Sequence, residues 1–360
     1  MPPQFFSKEL QQKIDRLKKR QKSISLGKIS FSSPLIMAPL ASITSPPWRL
    51  LMEDLGAGGT VSELISCHGI NYKNEKTLQM LKVDPREKNV GIQLFGEEPE
   101  ALADAAKIAA EFGAKFIDLN MGCPVRKVVG KGAGAALMQE PSKLPLLFRS
   151  IKNVISIPFT IKIRTGWDEN NLNAKEIVHI AHEEGIEFVA IHGRTRAEQY
   201  RGRANWEMIE ELARTSSLPI VGNGDLHTPK SVAKRLEITN CQALMLGRGP
   251  LRNPFIFLES LATEDDRDIV FTAKDHWEII QRLFEYSSEY YDKEKTLAIQ
   301  MKKHIVWLAA GYPKVSQFRA KVFTTNSIPD FMKMSEDFFA TLENRQKQIS
   351  DEAFLVAGEG

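Results

Sequence analysis

Residues 111–120 read EFGAKFIDLN and residues 183–193 read EEGIEFVAIHG. Each stretch holds the acidic end of a helical segment, a glycine that stops it, and a short apolar run that ends on a polar side chain. A helix closed by glycine and followed at once by a strand is the joint of a β/α repeat. Working outward, the same run recurs as LIMAP (35–39), TVSEL (60–64), VGIQLF (90–95), FIDLN (116–120), FTIKIR (159–164), FVAIHG (188–193), PIVGNG (219–224) and ALMLG (243–247). Apolar strands separated by helical stretches indicate a parallel sheet covered by helices, and eight such units in about 225 residues fit a (β/α)₈ TIM barrel. A doubly wound open sheet is the competing architecture, but no strand run is followed by GxGxxG.

Helix signals fall between the runs: Ala101–Phe112, a segment opened by Pro141 and Ser142, and Ala174–Glu184 after Asn173. The barrel is expected over 34–262. Beyond it the apolar spacing turns helical throughout, in 275–291, 297–311 and 331–349, which predicts a smaller all-α domain over 263–360 with TEDDRD (263–268) as linker. Residues 1–33 form a basic extension. Its segment 7–22 carries seven basic side chains against two acidic ones, read as a solvated helix, with a grip on RNA as the alternative.

The chain has 360 residues, 42% of them hydrophobic and 26% charged, so it can bury a large core and is not disordered. A net charge of +3 points to no nucleic-acid or membrane partner by itself. Cys67, Cys123 and Cys241 are too far apart for CxxC zinc sites, iron–sulfur clusters or a disulfide framework, so no metal is expected and a reducing compartment fits. No apolar stretch is long enough to cross a bilayer. A cytoplasmic protein with no membrane contact and no stable protein partner is expected.

Barrel active sites lie at the C-terminal strand ends. Here those ends carry Ala38-Pro39, Glu63, Gln93, Asn120, Lys162, His192, Asn223 with Asp225, and Gly247-Arg248. Unpaired polar groups there would each cost a few kcal/mol, so a bound molecule must satisfy them. The loops GNGD (222–225) and GRG (247–249) offer backbone N–H groups and Arg248 where such barrels bind phosphate. Lys162, in an apolar strand, suits the edge of a flavin that turns anionic on reduction, or a Schiff base; its own surroundings leave both open. Gln93 suits a flavin's pyrimidine edge, and Pro39–Ala41 its ring. Cys123 stands in NMGCPVRKVVGKGAGAALM (120–138), between Gly122 and Pro124. Gly130, Gly132 and Gly134 can hinge a lid, and a thiol on a lid can donate a proton.

These motifs resemble the tRNA-dihydrouridine synthases, most of all their bacterial B-type branch. The match runs through PLIMAPLA (34–41), SEL (62–64), GIQLFG (91–96), DLNMGCPVRKVVGKGAGAAL (118–137), IKIRTGWD (161–168), AIHGRTRAEQYRGRANW (190–206), GNGD and GRG, into MKKHIVWLAAGYPKVSQFR (301–319). The resemblance implies reduction of the C5=C6 bond of D-loop uridines in tRNA, with FMN as carrier and NADPH as reductant. It makes Cys123 the proton donor to C5. It assigns FMN contacts to Pro39, Leu40, Ala41, Gln93, Lys162, His192, Asn223, Gly224, Asp225, Gly247 and Arg248, and displaces the Schiff-base reading. Asn120 would orient the uracil and Arg194 would touch substrate. Lys302, Lys303 and Arg319, with Lys314 and Lys321, would meet tRNA from the helical domain. The chain departs from the pattern in APLASITSPPWR (38–49), where Ser42 and Ser45 replace a glycine and an aspartate, and in PLRNPF (250–255). Two other readings compete: a barrel flavoprotein reducing a free pyrimidine or small enone, and an RNA-binding relative without catalysis.

Overall fold

The computed structural model describes residues 6–342 and 344–348. A hairpin of β1 (Ile24–Leu26) and β2 (Ile29–Phe31) precedes eight parallel strands: β3 (Leu35–Met37), β4 (Gly59–Ser66), β5 (Val90–Phe95), β6 (Phe116–Met121), β7 (Phe159–Arg164), β8 (Val189–His192), β9 (Ile220–Asn223) and β10 (Ala243–Leu246). They close in sequence order, with β10 returning to pair β3. Each expected strand run supplies one stave of this TIM barrel, and closure leaves no sheet edge exposed.

Because side chains alternate along a strand, each stave splits into an outer and an inner set. Ile117, Leu119 and Met121 of β6 and Ile161 and Ile163 of β7 face the surrounding helices and join Leu102, Ala106, Phe148 and Ile177 in one core. The lower inner positions form a second core, in which Phe116, Phe188, Val221 and Met245 meet Leu26, Ile29 and Phe31 of the hairpin. Phe31, Phe116 and Phe188 contact one another edge to face, with centroids 6.0–6.1 Å apart, and plug the N-terminal end of the barrel. Gly91 of β5 makes room for this plug, since a Cβ there would lie 2.2 Å from the Phe116 ring.

Four C-terminal helices follow: Ala273–Tyr290, Glu294–Ala309, Val315–Thr324 and Ile328–Ala340. The third is an addition to the sequence reading. It buries only Phe318 and Val322, too few apolar positions to show a period. The last helix ends at Ala340 instead of running to 349, because the polar stretch after it turns back: the Arg345 carbonyl accepts from Ala273 N–H, and Lys347 Nζ donates to the Arg252 carbonyl at 2.5 Å. A single apolar core passes from Leu35 and Leu244 through Trp48 and Phe257 to Ile279, Met301 and Phe331.

The N-terminal helix Lys8–Lys18 is not merely solvated. Leu10, Ile14 and Leu17 bury one face of it. Lys13 meets Asp275 at 3.0 Å, Arg16 meets Asp268 at 2.7 Å, and Arg20 meets Asp266 at 2.9 Å. The stretch 263–268 is correspondingly no loose linker: Thr263 and Asp266 cap one another, and Asp266 is buried. Counting charges within a segment missed counter-charges some 250 positions away. Among the described residues no helix is long and apolar enough to cross a membrane.

Candidate active site

Above the hydrophobic plug the inner positions turn polar. Thr160, Lys162 and Arg164 alternate up β7, Asp118 and Asn120 up β6, and Gln93 stands on β5 in register with Asp118. They lead into a cavity of about 440 Å³ at the C-terminal rim, within the usual range for a small-molecule site. Its wall includes Cys123, Asn120, Arg194 and all eleven residues expected at the cofactor: Pro39, Leu40, Ala41, Gln93, Lys162, His192, Asn223, Gly224, Asp225, Gly247 and Arg248. Lys302, Lys303 and Arg319 do not join them. They lie on the second and third C-terminal helices, Lys302 over the Phe331 ring at 5.6 Å and Arg319 exposed beside Phe323.

The cavity is strongly cationic. Lys162, Arg164, Arg194 and Arg248 converge on it against one carboxylate, Asp225, which Arg194 already binds at 2.8 Å. Burial, then repulsion from Arg164, pushes Lys162 down to about 8; its Nζ donates to Asn223 Oδ1 at 3.1 Å. Burial brings Arg164 to about 10 and His227 to about 4, and holds His192 well below its ordinary value. Both imidazoles are therefore neutral at pH 7. An anion would relieve this crowding of positive charge, since opposite charge restores a buried cation.

Cys123 sits on the loop after β6. Its N–H and that of Gly122 donate to Asn120 Oδ1, at 2.9 and 3.2 Å, and its carbonyl accepts from Ala135 N–H at 3.1 Å. Gly134, at φ +61°, permits that return, because a Cβ there would lie 2.9 Å from the Cys123 carbonyl oxygen. Burial raises the Cys123 thiol above its ordinary pKa while Arg164 works the other way, so the sulfur carries a proton at pH 7 beside a cation able to stabilise the thiolate. Desolvation pushes the buried Cys67 thiol to about 12 and the half-buried Cys241 thiol to about 11, so neither is a ready thiolate at pH 7.

Arg194 is 1% exposed and donates to the Arg201 and Gly202 carbonyls as well as to Asp225. It fastens the rim loop instead of reaching out of the cavity. Several lining residues escaped the sequence reading, among them Lys127, Arg164, Tyr200 and His227. Arg164 shares the inner face of β7 with Lys162, a relation the i, i+2 spacing already carried. Tyr200 lies between Arg164 and Arg248, 5.7 and 5.4 Å from its ring; His227 faces Arg248 at 3.5 Å. Tyr200 falls inside the motif 190–206 without a role assigned to it, and His227 lies two residues beyond GNGD. Ser42, where the resemblance expects glycine, keeps a left-handed φ of 60° and donates its N–H to Glu63.

Fold and rim together define a (β/α)₈-barrel enzyme with a cationic pocket under a thiol-bearing loop. The chain belongs to the dihydrouridine synthase family, whose model matches residues 36–343. It is similar to a probable tRNA-dihydrouridine synthase of Rickettsia typhi, 33% identical over 90% of this chain and all of the relative. tRNA-dihydrouridine synthase B of Pasteurella multocida and that of Pseudomonas aeruginosa are each 33% identical, over 90% and 89% of this chain and 98% and 97% of theirs. Two solved structures share the fold at 12% identity: 6-hydroxypseudooxynicotine amine oxidase from Pseudomonas geniculata N1 and histamine dehydrogenase from Rhizobium sp. 4-9, each with a TM-score of 0.53. They match 74% and 75% of this chain, which spans about half their length, 53% and 51%.

Proposed function

We propose that this chain reduces the C5=C6 bond of D-loop uridines in tRNA to 5,6-dihydrouridine, with FMN as resident carrier and NADPH as reductant. The observation that carries the reading is Cys123: a protonated thiol on a glycine-bordered loop over a cationic pocket. The donor set fits FMN. Arg248, Asn223 and the Gly224 and Gly247 loops would hold the phosphate; a Cβ on Gly247 would meet nothing closer than 3.9 Å, so space remains beside its backbone. Lys162 and Gln93 would hold the polar edge of the ring system, with Pro39–Ala41 against its face and neutral His192 as a further hydrogen-bonding group.

When bound, the flavin supplies the hydride that uracil C6 receives. The chain's own part is the proton. Charge spreads toward C5 and O4 as C6 is reduced, and Cys123 Sγ delivers its proton to C5, leaving a thiolate that Arg164 stabilises. The raised pKa of Cys123 keeps the half-buried sulfur protonated until then. A uridine in a folded tRNA must first leave its stack, at a few kcal/mol, and Lys302, Lys303 and Arg319 would grip the phosphates of the displaced strand.

Mass-spectrometric mapping of tRNA from cells with and without the protein tests this directly. A gain of two hydrogens at D-loop uridines, together with a yellow protein that releases FMN on denaturation, is expected. NADPH oxidation that proceeds with free uracil as well as with tRNA would move the substrate to small enones. A colourless protein that takes up no FMN would end the flavin assignment.

A further inference from the structure

Under the pocket floor a carboxylate lies inside the barrel where such cores hold Val, Ile or Leu. Asp118 is 2% exposed, and its neighbours across the ladder are Gln93 and Thr160. Thr160 Oγ1 donates to Asp118 Oδ1 at 2.6 Å and Gln93 Nε2 to Asp118 Oδ2 at 2.7 Å. Gln93 Oε1 accepts from Asn120 Nδ2 at 2.8 Å, and Asn120 Oδ1 accepts the N–H groups of Gly122 and Cys123.

The two ends of an amide have nearly the same shape, so its orientation follows from what each end faces. Burial raises the Asp118 carboxyl above the usual carboxylate range, but the orientations are fixed from the other end: the backbone N–H groups of Gly122 and Cys123 can only donate, so Asn120 turns its oxygen to them and its NH₂ to Gln93. Gln93 must therefore turn its oxygen toward Asn120 and its NH₂ toward Asp118. Each amide retains one N–H, and both side chains line the cavity.

We propose that Asp118 is a positioning residue: by accepting from Gln93 it closes the chain through Asn120, fixes the pose of the Cys123 loop and holds both amides so that they present donors, not acceptors, to the pocket. Ring carbonyl oxygens are the groups such a floor receives. The proposal rests on the assignment of Cys123 as proton donor.

The test uses flavin-loaded full-length protein with two readouts: the iodoacetamide alkylation rate of Cys123, followed by peptide mapping, and kcat and KM on tRNA. Asp118→Leu keeps the shape and removes the acceptor. A several-fold change in alkylation rate and a fall in kcat of about 10 to 10² are expected, with KM for tRNA unchanged, because a small misplacement at the reacting centre has that effect. Asp118→Asn should restore both readouts. Its oxygen can face Gln93 while its NH₂ faces Thr160, whose hydroxyl turns to accept and has the Ile117 carbonyl within 3.4 Å as a new acceptor.

Should the leucine variant not fold, Gln93→Glu sets carboxylate against carboxylate and should disturb Cys123 alkylation. Adding Asp118→Asn to it rebuilds every link with the first one reversed, and the rate should return toward wild type. A leucine variant with wild-type alkylation and kcat, or a double variant no nearer wild type than Gln93→Glu alone, overturns the proposal. Wild-type protein inactive on tRNA would defeat the functional reading instead, while the alkylation series still reports on Asp118.

Discussion

Replacing Lys162 by methionine should stabilise the flavin-stripped protein while impairing it as an enzyme. Burial and the neighbouring Arg164 bring this ammonium from its ordinary 10.5 to about 8. At ~1.36 kcal/mol per pH unit, keeping it charged in the fold costs about 3 kcal/mol at pH 7. Water at the pocket mouth screens part of that. Methionine also leaves Asn223 Oδ1 without the donor it had at 3.1 Å, a loss of about 1 kcal/mol. The net gain is about 1–2 kcal/mol, a rise of a few degrees in Tm. The sign has a pH signature. The unfolded chain holds the lysine proton up to about 10.5 and the folded chain releases it near 8, so wild-type stability rises across that window and the deficit is full below it. Thermal unfolding of both proteins at pH 7 and 9.5 should show the advantage of methionine shrinking by about 2 kcal/mol, from the same conversion. A methionine variant less stable at pH 7, or an advantage indifferent to pH, would refute the reasoning. With FMN restored, this variant should lose more in the rate of flavin reduction than in flavin retention, since the lysine meets its strongest partner in the reduced, anionic ring.

Cys123→Ala should bind FMN and accept electrons from NADPH at nearly the wild-type rate, while turnover on tRNA falls by roughly 10² to 10⁴; Cys67→Ala and Cys241→Ala should alter stability alone, and full tRNA turnover by Cys123→Ala would exclude it as the acid. Affinity for tRNA should decline with salt, each phosphate contact adding about 0.7–0.9 to the logarithmic slope, and Lys302→Glu with Arg319→Glu should lower both affinity and slope; an unchanged slope would transfer recognition to the barrel rim. Arg20 above all, with the Thr263 amide, holds the Asp266 carboxyl well below the usual carboxylate range. Its anchoring of the N-terminal helix is therefore present above the ordinary carboxylate pKa and lost only in strong acid. Asp266→Asn should raise amide exchange across 8–18 at neutral pH; unaltered protection would mean that Leu10, Ile14 and Leu17 hold the helix unaided.

The barrel was legible because its staves are buried on both faces, and a run such as FIDLN or FTIKIR announces that whatever surrounds it. The pocket was legible for a related reason: a lysine or asparagine at the top of such a run breaks the apolar pattern of a barrel core, wherever its partners lie. What escaped depends on partners far away in sequence. ISLGKISF (24–31) carries two alternating runs about a Gly-Lys turn, a readable hairpin signal, yet its purpose shows only where Phe31 meets Phe116 and Phe188. The acids of 263–268 look like a linker until Arg16 and Arg20 lie against them. Asn120 looked like a residue for the uracil alone, and nothing in the sequence says that its oxygen is committed to the amide of Cys123.

The aromatic plug also governs traffic. With Phe31, Phe116 and Phe188 stopping one end of the barrel, the described residues leave the mouth beneath the Cys123 loop as the way into the pocket. Reductant and nucleic acid would then visit in turn, each departing before the other arrives. Steady-state lines for two substrates that share a single doorway run parallel, and an excess of either substrate inhibits by occupying the threshold. Among the described residues the plugged barrel leaves one entrance, and an enzyme that admits a bulky folded RNA through it would have its turnover timed by how fast that entrance clears.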